Sequence, residues 1–519
     1  MNANFQIQLP DGYTREQIEA LLAANIPFKV EEPISEKWVF YDTFDWLLFN
    51  RSLSLHQTGQ ELFLRTLPDG EVLFSLFISA PPGFSWDLPD SALKNHLGPI
   101  IEPRTLLNLI ELQMQSCTYR ILNTDGKTVA HIIFNEAISK HNSSPTTITS
   151  YLSLRAVRGY PKHVRQIYTY LEQAGFDFSD WEDFYFCAIE AAGKDPGSYS
   201  SKINVQLEPG MRSDEATKII LRRLLEVMKA NEAGIQADID SEFLHDYRVA
   251  IRRTRSALSQ VRDVFPANTN TRFKEDFAYL GKYTNELRDL DVYLLSEDKY
   301  CDMLPDVLRA DISPLFEYLR AQRETVLKGV SDHLDSERYA RILSDWEEFL
   351  NEPVPDTPEA ANATMPIIDL AQWRIYKRYR KIIKDGKFLL EHPQAKLMHA
   401  LRIECKKLRY LIEFFASLFP EKKIRRLIDQ LKRLQDNLGD FNDLSVQQEY
   451  LLSIAKELPI SKKESRRALI ATGSLVESLA NRQGQVQEDF AETFTNFASP
   501  ENQELYQQLY AGKERRIAS

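Results

Sequence analysis

The stretch Leu397–Phe419, LMHALRIECKKLRYLIEFFASLF, decides how the rest of the chain is read. At helical spacing Leu401, Leu408, Ile412 and Phe415 share one side of a 3.6-residue wheel, with Cys405 among them. His399, Arg402, Lys406 and Arg409 follow at i, i+3, i+7 and i+10 on a neighbouring face, and Lys407 adds a fifth base. One predicted helix thus carries a core stripe beside a row of cations. Neighbouring cations about 6 Å apart repel by roughly 0.7 kcal/mol in water, and more near a protein surface. Within the stretch, Glu404 and Glu413 are the only acids available to relieve them. A row of this kind suggests an anionic ligand that is long rather than compact.

The same device occurs earlier. Phe243–Phe265 reads FLHDYRVAIRRTRSALSQVRDVF, with His245, Arg248, Arg252, Arg253 and Arg255 in the order and spacing of the later bases. Tyr247, Ile251, Thr254 and Leu258 replace the apolar stripe, and both segments end in Phe-Pro. The offset is 154 residues throughout. Downstream, LRDLDV at Leu287–Val292 is echoed by LGDFNDL at Leu438–Leu444. So long a period excludes a solenoid and indicates a duplicated helical unit.

Composition bounds the rest. A chain of 519 residues that is 43% hydrophobic can bury large cores, and its length alone allows three or four domains. Its net charge of −11 argues against a general nucleic-acid binder. Between Ala371 and Arg433, however, 18 Lys and Arg face 6 Asp and Glu, which leaves −23 for the remainder. That contrast predicts a basic site in an acidic body. Cys117, Cys187, Cys301 and Cys405 form no CxxC pair and read as free thiols in a reducing compartment. Residues 1–20 lack a basic start followed by an apolar block, and no apolar run approaches the roughly 18 residues a membrane span needs. A cytoplasmic protein is expected.

The fold class expected is α+β in two domains. Residues 1–195 read as an antiparallel β-barrel or strongly curved sheet, with strands at Asn4–Leu9, Lys37–Asp42, Glu61–Leu67, Glu71–Ser79, Cys117–Asn123, Thr128–Phe134 and Ser150–Val157. Helices are predicted at Thr14–Ala24 and Pro161–Ala174. Gly193–Ser201 is the linker. Residues 202–515 read as an all-α domain of two pseudo-symmetric bundles, about 205–350 and 366–515, separated by the Pro-rich Asn351–Pro366.

HDYRVAIRRTR, LRDLDV, HALRIECKKLRY and LGDFNDL together resemble the CHAD family over roughly Lys202–Tyr450. The resemblance implies two helical bundles related by pseudo-symmetry and a ligand, inorganic polyphosphate. The N-terminal part is more distantly similar to the CYTH superfamily of triphosphate tunnel enzymes. YDTFDWLLFNRSLSLH at Tyr41–His56, then ELFLRTL and EVLFSLFI, carry that similarity. The departures are larger. The family's metal-binding ExExK strand is here Asn4-Phe5-Gln6-Ile7-Gln8, and its late ExE strand is Ser150–Leu154, without acids. Val72–Ile78 lacks the usual base, while Arg65, Arg120 and Arg155 remain as tunnel bases. Amides and hydroxyls do not replace carboxylates at Mg²⁺.

Solvated helix faces explain most basic rows, but here two copies of His-x-x-Arg-x-x-x-base-base-x-Arg need explaining. Each histidine either donates to phosphate or holds a neighbouring helix. Arg374, Lys377, Arg378, Lys381 and Lys384 form a third basic stripe, the first four of them expected to bind polyphosphate with the two rows, beside Tyr376 and Tyr379, whose spacing fits a core face. Asp289, Asp291, Asp440 and Asp443 read as ion-pair partners that orient arginines rather than as a metal cluster. GxSxG, a Walker loop, HExxH and EF-hand spacing are all missing. The expectation is a non-catalytic polyphosphate binder without metal or cofactor, recruited to polyphosphate granules, with neither nucleic acid nor membrane as partner. The alternatives are a metal-dependent triphosphatase or polyphosphatase using the tunnel, and a nucleic-acid-binding module.

Overall fold

Trp38-Val39-Phe40-Tyr41 sets out the packing of the first unit. Val39 and Tyr41 enter one core and Phe40 another, the two sides of a pleated strand. The structure, a computed structural model, describes residues 4–10, 12–139, 146–176, 180–457 and 463–511. The chain divides into two compact units, residues 1–200 and 201–519.

The first unit is built on antiparallel strands β1 (Asn4–Gln8), β2 (Phe28–Val30), β3 (Ile34–Asp42), β4 (Leu53–Thr58), β5 (Glu61–Thr66), β6 (Val72–Phe77), β7 (Leu107–Leu122), β8 (Thr128–Ser139) and β9 (Thr146–Ala156). They join in the order β1-β9-β8-β7-β3-β4-β5-β6, with β2 also on β7. Helices α1 (Arg15–Asn25) and α3 (Pro161–Gln173) pack on one core with Tyr119, Ile121 and Leu154. Helix α2 (Ala92–Ile101) packs on the core of Val39 and Tyr41. Helix α4 (Trp181–Ala191) fills the face of Phe40, Leu112, Met114 and Tyr151 with Trp181, Phe184, Tyr185 and Ala188. The sequence reading starts β7 ten residues late and passes over α2 and α4. Leu112 and Met114 alternate with Gln113 and Gln115, so the strand extends back through them.

Asp42 explains the YDT turn. Its buried carboxylate accepts the backbone N–H groups of Thr43, Leu48 and Phe49 at 2.7–3.0 Å. Burial raises its pKa to about 7, against those bonds.

The second unit is helical: α5 (Ser213–Gln236), α6 (Ser241–Gln260), α7 (Ala267–Tyr283), α8 (Asn285–Leu295), α9 (Glu297–Asp302), α10 (Asp306–Arg309), α11 (Ser313–Leu334) and α12 (Glu337–Asn351) make one half. The other is α13 (Ile367–Glu391), α14 (Ala395–Phe414), α15 (Glu421–Ala455), α16 (Lys463–Phe497) and α17 (Pro500–Tyr510). Offset by 154, α5 starts where α13 starts and α7 where α15 starts. The first half breaks at Thr284, between α7 and α8, where α15 runs on.

The halves clasp each other reciprocally. Arg212 bridges Pro366; Ser213 N–H donates to Met365 carbonyl at 3.0 Å and Ile367 N–H to Met211 carbonyl at 2.9 Å. Each partner lies 154 residues from its counterpart, so residue i meets j and the equivalent of i meets the equivalent of j. That reciprocity is the signature of a two-fold relation. A single core draws Leu290, Leu315 and Phe316 from one half and Leu444, Leu451 and Leu475 from the other.

Close helix packing depends on Gly386, where a Cβ would overlap the ring of Phe494, itself 1% exposed. Gly386→Ala should therefore lower stability by about 1–3 kcal/mol, because overpacking outweighs the roughly 1 kcal/mol gained in helix propensity. Urea denaturation checks it; an unchanged or raised midpoint would mean that Phe494 yields.

Candidate functional site

The core stripes bring the two basic helices together. Tyr247, Ile251, Thr254 and Leu258 of α6 are buried, as are Leu401, Cys405, Leu408 and Ile412 of α14. With those faces inward, the helices touch, and their bases meet in a cavity of about 380 Å³. His245, Arg252 and Arg253 line it from α6, and Arg402, Lys406 and Arg409 from α14. The cavity is not itself symmetric. It opens toward α15, which contributes Gln435, Asp436, Asp440 and Asp443.

Four predicted residues of these helices lie elsewhere. Arg248 donates to Thr284 Oγ1 at 3.0 Å and Asn285 Oδ1 at 2.9 Å, tying α6 to the α7–α8 junction. Burial, reinforced by Arg252, pushes its pKa down to about 10. Arg255 is exposed, on the α7 side near Gly281. His399 meets Asn442 Oδ1 through Nδ1, so this histidine holds a neighbouring helix. Lys407 donates to Glu404 at 3.0 Å. Arg374, Lys377, Arg378 and Lys381 line a different cavity.

Sequence reasoning named Glu413, Asp440 and Asp443 of the cavity's acids but not Asp246 and Asp436. Asp246, Glu413, Asp436, Asp440 and Asp443 match its five Arg and Lys in number. Glu413 bridges the helices, accepting from Arg253 Nη2 at 2.8 Å and Arg409 Nε at 2.7 Å. Asp443 accepts from Arg402 Nη2 at 2.9 Å. Asp291, outside the cavity, orients Arg323 at 2.7 Å. Burial raises the carboxyl of Asp440, with Arg482 opposing.

Two cations remain. Among the described residues Arg252 and Lys406, equivalent positions 154 apart, make no ion pair. Burial, then the charges of Arg402 and Arg252, push Lys406 down to about 8. A lysine so placed is a poorly solvated cation beside like charges, and an anion between it and Arg252 would relieve both. Among the described residues no group of three or more His, Cys, Asp or Glu is placed to hold a metal ion.

In the first unit, Arg65 donates to Gly70 carbonyl at 2.7 Å and lies over the Trp181 ring at 4.9 Å. His56 is buried among Trp38, Phe63 and Trp181, and burial pushes it down to about 3, so it is neutral. Arg120 pairs with Glu31 at 3.2 Å, and Arg155 is exposed.

The family model of the CHAD domain matches residues 219–452. Two uncharacterized proteins of Mycobacterium tuberculosis are each 24% identical over 226 residues, 43% of this chain and 42% of theirs. The chain thus spans less than half the length of the curated relatives it matches. Among solved structures, the CHAD domain of the plant Ricinus communis aligns with TM-score 0.48 and 24% identity, over 57% of this chain and 96% of that one. PptA from Streptomyces chartreusis aligns with TM-score 0.42 and 17% identity, over 55% of this chain and 99% of its own. HpAC1 from Hippeastrum, described as having a dominant triphosphatase activity, aligns with TM-score 0.27 and 15% identity, over 38% of this chain and 100% of its own. The duplicated motifs, the two basic helices and the matching family model together identify residues 219–452 as a CHAD domain.

Proposed function

We propose that this CHAD domain binds inorganic polyphosphate, without catalysis, in the pocket between α6, α14 and α15. The observation that carries the reading is the pair Arg252 and Lys406, charged, facing one pocket and without carboxylate partners among the described residues. Around them the guanidinium forks of Arg253, Arg402 and Arg409 are held in place by Glu413 and Asp443. Forks fixed in this way suit phosphate oxygens, which they meet in pairs, while Lys406 acts as a point charge.

The first unit, on this reading, is a degenerate triphosphate-tunnel domain. Its support is the packing of α4: Trp181, Phe184 and Tyr185 occupy the sheet face where Arg65 and His56 lie. The protein is cytoplasmic and recruited to polyphosphate granules. No helix among the described residues is long and apolar enough to cross a membrane.

Binding of labelled long-chain polyphosphate, followed by anisotropy, tests this. It should persist in excess RNA. It should also weaken several-fold between pH 7 and pH 9. Lys406 is mostly protonated below its pKa of about 8 and discharges above it, so attraction is lost as pH rises. Since bound phosphate raises that pKa, calorimetry near pH 8 should register proton uptake on binding. Displacement by equimolar RNA would overturn the reading in favour of nucleic acid.

A further inference from the structure

We infer that the cavity between α13, the end of α6 and α14 is a second anion site, for a compact phosphoryl group, separate from the pocket of Arg252 and Lys406. The choice of phosphate rests on the proposed polyphosphate reading; the site itself rests on its own geometry. The cavity measures about 260 Å³ and is lined by Arg262, Arg374, Lys377, Arg378 and Lys381, with Gln260 and Leu411. That is below the roughly 300 Å³ at which pockets for drug-sized ligands begin, so the ligand is small.

Its electrostatics differ from those of the first pocket. Among the described residues no carboxylate lines it, whereas five line the other. Arg378 is held by Glu404 and Gln260, and Lys381 by Asp385. Arg374 and Lys377 are not held in this way. The Arg374 side chain is only 11% exposed, and its Nε is buried without a hydrogen-bond partner. Its Nη2 reaches the Arg262 carbonyl at 3.3 Å; its nearest carboxylate, Asp263, is 3.9 Å away and 68% exposed. Trp373 supports both cations by its ring face, at 4.1 Å from Arg374 and 5.5 Å from Lys377. Lys377 makes no ion pair among the described residues. A buried guanidinium with an idle donor, beside a second cation, costs free energy unless an anion completes it.

The duplication shows that the fold does not demand three of these charges, while Lys377 corresponds to another base, Arg223. At the 154-residue offset, Arg374, Arg378 and Lys381 correspond to Ile220, Leu224 and Val227 of α5, all buried core residues. One half thus uses these positions for packing and the other for a basic cavity. Along α6, Arg253 in the first pocket and Gln260 in the second lie seven residues apart, about 10 Å at 1.5 Å per residue. A long polyphosphate could have one end there; pyrophosphate could occupy the site alone.

Titration calorimetry with pyrophosphate and with long-chain polyphosphate separates the two sites. In the Arg252→Glu/Lys406→Glu variant, pyrophosphate should still bind once per chain. Lys377→Glu, on an exposed position, and Arg374→Gln should each weaken that binding at least tenfold, with the thermal transition retained. If pyrophosphate does not bind the wild-type protein, or binds Lys377→Glu and Arg374→Gln unchanged, the second site is wrong. Failure of the polyphosphate reading is a different result: long-chain affinity untouched by the Arg252 and Lys406 reversals.

Discussion

The Arg252→Glu/Lys406→Glu variant should fold and lose affinity for long-chain polyphosphate by at least about a hundredfold. Each wild-type side chain offers a charge-assisted hydrogen bond, worth about 1.5–3 kcal/mol. Two such contacts amount to two to four decades in Kd before repulsion is added. The folding side of the expectation has its own cause. Lys406 is destabilised in place by burial and by Arg402 and Arg252, with only Asp443 opposing, so reversing it and Arg252 removes more repulsion than attraction among these bases. Neither side chain anchors a carboxylate among the described residues. Anisotropy for affinity and calorimetric melting for folding are the two measurements. A folded double variant with wild-type Kd would remove this pocket from consideration.

The reversal is sharper than a scan of the ten bases of the two rows on α6 and α14 because the helices do not present them equally. At about 100° per residue, Arg248 and Arg255 fall on one side of His245 and Arg253 on the other. The sequence reading took the row His245, Arg248, Arg252 and Arg255 to face its copy on α14. In the structure α6 turns His245, Arg252 and Arg253 to the pocket, while α14 turns Arg402, Lys406 and Arg409. Periodicity identifies faces, and so the two basic helices, their core stripes and the duplication were legible. It does not say which flank of a wide polar face meets a third helix. Asp440 and Asp443 read as partners of arginines, but which arginines they meet, and that Asp436 joins them, follows only from the tertiary packing of α15. In the first unit the aromatic content of α4 was visible, but its position over Phe40 and Tyr151 is a consequence of long-range contact.

The acids of the pocket set the salt dependence. By analogy with single-stranded nucleic acid, each neutralised phosphate should contribute about −0.7 to the slope of log affinity against log salt. Were all five Arg and Lys of the pocket to engage phosphate afresh, the slope would be about −3.5, and affinity would fall about 130-fold between 50 and 200 mM salt. Three of the five already meet carboxylates, Arg253 and Arg409 sharing Glu413 and Arg402 meeting Asp443, which sets two negative charges against three positive. Neutralised pairs have no counterion atmosphere to release, which leaves Arg252, Lys406 and one charge beside Glu413. A short chain such as tripolyphosphate should therefore show a slope of about −2.1, a loss of only about eighteenfold over the same range. Long chains, which also reach bases outside the pocket, should be steeper. Anisotropy titrations at four salt concentrations, with both ligands, give the slopes directly. A tripolyphosphate slope near −3.5 would mean that Glu413 and Asp443 release their arginines on binding. A slope near zero would mean that charge neutralisation does not hold the ligand in this pocket at all.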